Sequence, residues 1–285
     1  MNVWRTARFE VDLSRPRVMG IVNVTPDSFA DGGQHAHTLQ AIGHVERLLG
    51  EGADIIDIGG ESSRPGAQEV SEQEELARVL PVLRHAVRLG LPVSVDTRRT
   101  AVMQAALDEG ADIINDIQAL RDAGAEQLLV RHPNTGICLM HMRGEPASMQ
   151  QAVHYVDVVA EVSTFLQARA ARLLALGVVR ERIVLDPGIG FAKTAEHNLQ
   201  LHRRQSELLA LGFPLLVGWS RKSTLGTITA RPVNQRVPAS VAAALASVMY
   251  GARVLRVHDV AATIDALKVW QAFGMPIGHC NNPLP

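Results

Sequence analysis

Cysteine is almost absent from this chain. Its two cysteines, Cys138 and Cys280, have no metal-binding spacing, and Cys138 lies in an apolar strand-like run where a buried free thiol is the ordinary reading. That usage fits a reducing cytosol, so the expected location is cytoplasmic. An excess of either charge is missing too. The 28 Lys and Arg face 29 Asp and Glu, leaving a formal net charge of -1, which gives no global field for nucleic acid or an anionic membrane. Any phosphate binding has to be local. Long hydrophobic runs are also lacking: the longest, 237–250, is too short to span a bilayer, and MNVWRTARFE has no apolar signal core. Neither insertion nor secretion is indicated. No low-complexity linker interrupts the 285 residues, a length that suits one α/β barrel of about 250 residues better than two small domains.

What the chain has instead is eight short apolar runs, each ending in polar or charged residues. VMGIVN ends at Asn23, ADIIDI runs into GGESSR, PVSVD ends at Asp96 and ADIIND at Asn115 and Asp116. GICLMH ends at His141, RIVLD at Asp186, PLLVGWS runs into Ser220, Arg221 and Lys222, and ARVLRVH carries Arg256 and His258. Helical periodicity lies between them, as in Ala41, Ile42, Val45, Leu48, Leu49 and again in Leu76, Val79, Leu80, Leu83, Val87. Ser71 and Glu74 have capping-box spacing, which predicts the start of the second of these helices. EGADIIDI and EGADIIND echo one another, each with a glycine where a helix should stop and a strand begin. Strict alternation implies right-handed crossovers and a parallel sheet. Eight units predict a (β/α)8 TIM barrel, one domain over 1–285 with its core at about 18–273; an open doubly wound sheet is the alternative that counting does not separate. A barrel turns all strand C-termini to one mouth, so the eight polar endings predict a single site there. The segment ASVAAALASVMY is apolar almost all round, which predicts cover on both sides, by the barrel and by a second subunit in a homodimer. Burial by the chain's own terminal segments is the alternative.

Several segments carry candidate chemistry. GIVNVTPDSFADGG is rich in turn formers and is ordinarily a connecting loop, but its length and the oxygens of Thr25, Asp27, Ser28 and Asp31 suit an active-site loop. GGESSRPGA sets the hydroxyls of Ser62 and Ser63 and the Arg64 guanidinium, followed by Pro65, beside glycines that admit close ligand approach. Asp96, Asn115 and Asp186 end strands and should face a half-buried interior, where unpaired carboxylates are costly. Either a ligand rich in N–H donors relieves that cost or they pair with Lys222 and Arg256. PGIGFAKT, after Asp186, fails as a P-loop because Ala192 precedes Lys193 and the glycine spacing is wrong. Ser220 and Lys222, with Arg256 and His258, stand where many barrels hold phosphate, though either cluster alone reads as a solvated turn. His35 and His37, without further ligands, read as solvated loop histidines.

Taken in order, GIVNVTPDSFADGG, IIDIGGESSRPGA, VSVDT, IINDI, LMHMRG, LDPGIGFAKT, VGWSRKS and RVHDV closely resemble dihydropteroate synthase of folate biosynthesis, over residues 18–270. The resemblance implies a barrel enzyme, a sulfonamide target, that joins 6-hydroxymethyl-7,8-dihydropterin diphosphate to 4-aminobenzoate and releases pyrophosphate and 7,8-dihydropteroate. It implies that Asp96, Asn115, Asp186 and Lys222 hold the pterin, and that Asn23 through Mg²⁺, with Ser63, Arg256 and His258, holds the diphosphate. Arg64, Pro65, Phe191, Ser220 and Lys222 would form the aminobenzoate side, and the first loop would close over both substrates, with Asp27 and Asp31 available to the metal or pyrophosphate. An aryl amine is already neutral at neutral pH, so stabilising the leaving group, with charge from Mg²⁺, Arg256 and His258, should matter more than a general base. Ser63 departs from the family's usual threonine but keeps the hydroxyl. A pterin-barrel methyltransferase would need neither SSRPG nor SRKS. A non-catalytic pterin-binding paralogue could lose Arg256, His258 or the first loop, all present here. A phosphosugar barrel is the generic alternative.

Overall fold

The alternation of apolar runs and amphipathic segments becomes a barrel in the computed structural model, which describes residues 2–25, 34–64, 66–151 and 153–276. A hairpin of β1 (Val3–Arg5) and β2 (Glu10–Asp12) comes first. The eight runs follow as parallel strands: β3 (Arg17–Asn23), β4 (Ile55–Gly59), β5 (Val93–Asp96) and β6 (Ile113–Asp116), then β7 (Gly136–Met140), β8 (Ile183–Asp186), β9 (Leu216–Val217) and β10 (Val254–Val257). Their order is β8-β7-β6-β5-β4-β3-β10-β9, and a parallel bridge between Leu185 and Leu215 nearly closes the circle. Outside it lie α1 (Gln34–Gly50), α2 (Glu72–Ala86), α3 (Thr100–Asp108), α4 (Ala125–Arg131) and α5 (Val158–Ala175). The ring continues with α6 (Ala195–Arg203), α7 (Gln205–Leu209), α8 (Ser223–Thr229), α9 (Val237–Met249) and α10 (Val260–Ala272). No helix among the described residues is long and apolar enough to cross a membrane.

Side chains alternate along each strand, and the alternation sorts most of the core into two bodies, beside a small third cluster of Ile117, Met140, Met142, Met149, Phe191 and Ala192. Outward residues such as Val18, Ile56, Ile58, Val95, Ile114, Leu139 and Leu185 pack with Val45, Leu48, Val79 and Leu83 of the helices. Inward residues Met19, Ile55, Ile113, Cys138, Val184, Leu216 and Val254 fill the barrel floor with Trp4, Val11 and Leu13 from the hairpin side. Trp4 also donates its indole N–H to the Arg182 carbonyl at 2.9 Å. The buried core therefore begins near residue 3 rather than 18. Three-residue strands are too short to print a period, which is why the sequence did not announce them.

Other expectations change in detail. Ser71 caps α2 by accepting from the Glu74 N–H at 3.2 Å, but the buried stripe is Glu75, Val79, Val82, Leu83 and Ala86, with Leu76, Leu80 and Val87 on its flank. His35 and His37 belong to α1 rather than to a loop, because that helix starts a full turn before its apolar stripe. On α9 the barrel side carries Ser240, Ala244, Ser247 and Val248, the two hydroxyls turned back onto the carbonyls of Arg236 and Ala243. Its other side is open among the described residues: Ala242 is exposed, and Val241, Leu245 and Ala246 are only partly buried.

Candidate active site

Two residues beyond the apolar floor, the inward positions turn polar. Ile55 gives way to Asp57, Ile113 to Asn115, Val184 to Asp186 and Val254 to Arg256, while β5 brings in Asp96. Arg256 donates from Nε to Asp57 Oδ2 and from Nη2 to Asp96 Oδ2, both at 2.6 Å. Asn115 Nδ2 leans toward the Asp57 carboxylate at 3.4 Å. Burial works against the Arg256 charge, but Asp57 and Asp96 outweigh it and raise its pKa. Burial, partly offset by Arg256 and reinforced by Asp57, pushes the Asp96 carboxyl up to about 7. Asp186 is also raised by burial, against a hydrogen bond from the Gly188 N–H at 2.7 Å and the nearby Lys222 charge. Asp116, by contrast, points away and accepts from the Gln118 and Leu120 N–H groups at 2.7 and 2.6 Å, shaping a turn.

Above this deck sit the groups from β8, β9 and β10. Lys222 Nζ lies 4.2 Å from the centre of the Phe191 ring, and burial, with Arg256, lowers its pKa to about 8. The Ser220 hydroxyl accepts from the His258 backbone N–H at 3.1 Å and lies 2.9 Å from His258 Nδ1. Burial, Arg256 and Arg221 lower His258 to about 3, so the ring is neutral near pH 7. A neutral ring accepting at Nδ1 carries its proton on Nε2. With no anion beside it, His258 thus offers an N–H and carries no positive charge.

Asn23, Thr25, Ser63, Arg64, Asp96, Asn115, Asp186, Phe191, Ser220, Lys222, Arg256 and His258 all line one cavity of about 440 Å³. Asp27, Ser28, Asp31 and Pro65 lie outside the described residues. The cavity shares Asn23, Arg64 and His258 with a second one of about 600 Å³ that runs over α1 and the start of α10. Among the described residues no three His, Cys, Asp or Glu side chains come close enough to cage a metal. Mg²⁺ does not require such a cage, since it commonly keeps waters and takes oxygens from one or two side chains and a phosphate. The half-buried Asn23 amide at the mouth suits that donor set.

Sequence reasoning missed Asp57 and the frame behind the β4–α2 loop. Glu61 accepts from Arg98 Nε at 2.9 Å and Arg99 Nη2 at 3.0 Å. Arg99 also reaches the Val70 carbonyl at 2.7 Å and pairs with the buried Glu75, while Arg98 pairs with Glu145 at 2.7 Å. Gly60 lets the loop lie on α2: a Cβ there would come within 2.7 Å of Val79. The only signals were a carboxylate inside an otherwise apolar run and a pair of arginines just after Asp96.

Residues 19–258 match the family of pterin binding enzymes. The chain is 56% identical over 280 residues to the dihydropteroate synthase of Neisseria meningitidis serogroup B, covering 96% of this chain and 98% of that one. It superposes on the Xanthomonas albilineans dihydropteroate synthase solved with 4-aminobenzoic acid at a TM-score of 0.90 and 49% identity, over 96% of this chain and 98% of that one. The same enzyme in complex with 7,8-dihydropteroate gives 0.86 and 48%, over 94% and 97%. With the ordered motifs, the barrel and the convergent cavity, these matches establish that the chain belongs to the dihydropteroate synthase family.

Proposed function

We propose that this barrel condenses 6-hydroxymethyl-7,8-dihydropterin diphosphate with 4-aminobenzoate, releasing pyrophosphate and 7,8-dihydropteroate. The observation that carries the reading is the order of the cavity: buried carboxyls and an amide on the deck with Arg256 held between Asp57 and Asp96, and Arg64, Lys222 and the hydroxyls of Ser63 and Ser220 lining the same cavity. A pterin edge presents an amino group and a ring N–H, which suit the Asp186 carboxylate, with the Asn115 amide and Lys222 serving ring acceptors. In this reading the methylene C–O bond to the diphosphate breaks, the C–N bond to the amine forms, and the amine loses a proton. Arg256, preset by Asp57 and Asp96, supplies charge toward the leaving oxygens, while the Nε2–H of His258 and the Ser63 hydroxyl supply hydrogen bonds. Arg64, Pro65, Phe191, Ser220 and Lys222 orient the amine for attack. Asn23, with Asp27 and Asp31, would hold Mg²⁺, whose charge helps to neutralise the diphosphate. The open apolar side of α9 supports a homodimer in which a second copy covers it.

Coupled detection of pyrophosphate tests the reaction. Release should require both substrates, and mass spectrometry should find 7,8-dihydropteroate. A pterin-binding paralogue would bind the diphosphate and release nothing, and a methyltransferase would ignore 4-aminobenzoate; either result would overturn the reading.

A further inference from the structure

The segment PGIGFAKT joins β8 to α6 and carries Phe191 to the cavity, yet none of the roles above uses its lysine. Lys193 is buried, and its Nζ donates to the Phe191 carbonyl at 3.0 Å. The same nitrogen lies 3.0 Å from His141 Nδ1 and 3.4 Å from the His141 carbonyl. An ammonium has three N–H groups, and these three neutral acceptors account for them. His141, in turn, is fixed from two sides. Its backbone N–H donates to the Asp186 carbonyl at 3.0 Å, and its ring meets Phe165 edge-on at 5.0 Å. The loop folds so closely onto it that a Cβ at Gly188 would fall 2.0 Å from the His141 carbonyl oxygen.

A methionine could fill the space of Lys193 without bringing a charge into it. Burying an ammonium among neutral acceptors is costly, and here burial, with Lys222 and Arg143, lowers the Lys193 pKa to about 7 against the pull of Asp186. What the ammonium does that a methionine would not is tie the Phe191 backbone to the end of β7. We propose that Lys193 is a positioning residue, a strap between His141 and the Phe191 carbonyl that holds the Phe191 ring under Lys222 as the wall on which the aminobenzoate ring docks. This inference rests on the substrate assignment above. The hydrogen bonds of Lys193 serve the aminobenzoate wall, because the strap ends on the backbone of Phe191, while Asp186 keeps its own hydrogen bond from Gly188 and feels Lys193 through charge alone, less than it feels Lys222 and Arg256.

Steady-state kinetics of the Lys193→Met enzyme test it, with pterin diphosphate binding followed by calorimetry. The KM for 4-aminobenzoate should rise about tenfold, while kcat and the pterin diphosphate Kd each stay within about threefold, the signature of lost ground-state binding of one substrate. In a Phe191→Ala background the same change should add less than about twofold to that KM, because the strap then has nothing left to place. An unchanged KM, an equal loss for both substrates, or full additivity with Phe191→Ala would overturn the role. If Lys193→Met does not fold, Lys193→Gln, which keeps a shorter, uncharged NH₂ donor, is read on the same constants, with a smaller rise expected and the same outcomes decisive. Wild-type turnover is measured alongside. Its absence overturns the functional reading and this inference together, whereas normal turnover with an unmoved variant KM overturns the inference alone.

Discussion

Asp186 meets two demands at once: one oxygen is spent on the Gly188 N–H inside its own loop, and the buried side chain faces a cavity that must recognise donors. Burial raises its pKa, while Lys222, Arg256 and Lys193 oppose the rise. Replacing it by asparagine is therefore more than removing a charge. In Asp186→Asn the amide oxygen is the only atom that can still accept from Gly188, which turns the NH₂ toward the pterin's own donors. A charge-assisted hydrogen bond is worth about 1.5 to 3 kcal/mol, so pterin diphosphate affinity should fall roughly ten- to a hundredfold. Calorimetry decides this, and unchanged affinity would remove Asp186 from the role. At the same scale, His258 shows what residue identity alone does not convey. Its position at the mouth was legible from the strand ending, but its neutrality follows from burial beside Arg256 and Arg221, which only the packed barrel reveals.

Among elements, the β4–α2 loop is the one whose placement depends most on groups far from it in sequence. Arg99 alone ties Glu61, the Val70 carbonyl and Glu75 together. Glu75 is fully buried, and burial raises its pKa despite Arg99 and Thr97. Removing the cation in Arg99→Met would strand that carboxyl, and breaking such a pair costs about 3 to 5 kcal/mol, which urea unfolding would measure. A carboxyl whose folded pKa exceeds its unfolded value is penalised at high pH and relieved by protonation as pH falls. The variant's deficit should therefore be clearly smaller near about pH 5 than near about pH 8, and a pH-independent deficit would show that Glu75 is not its source. The element scale also shows how far the sequence could be read. All eight barrel strands were visible, because short apolar runs that end in polar residues and alternate with helical segments are a strong signal. Asp57 was not, since an acid in mid-run looks like a break in the pattern until Arg256 arrives from β10, 199 residues away. Arg98 and Arg99 were not singled out for the same reason: their partners come from three other segments.

At the scale of the whole molecule, one chain supplies every described residue of the cavity lining, whereas among the described residues one helix is left without cover on one side. Among the described residues α9 leaves Val241, Ala242, Leu245 and Ala246 at least partly exposed, and its neighbours α8 and α10 carry exposed Ile228 and Val269, with Val233 just before α9 and Phe273 just after α10, exposed by 58, 53, 54 and 77%. Scattered apolar residues need no explanation, but a helix without a polar outer face, packed against helices that carry exposed large apolar side chains, does. The proposed homodimer supplies it, provided the two copies bury on the order of 1,200 to 2,000 Å², the range of stable interfaces. Sedimentation equilibrium at micromolar concentration should then return about twice the 30.8 kDa of the chain. Ala242→Arg is the matching variant. Arginine is a good helix former, so a solvated helix would accept it, whereas an interface would have to bury an unpaired guanidinium at a cost of several kcal/mol. The variant should sediment as a folded monomer with an unchanged circular dichroism spectrum. A wild-type protein that sediments at 30.8 kDa would end the dimer proposal, and an Ala242→Arg variant that still dimerises would move the interface away from α9.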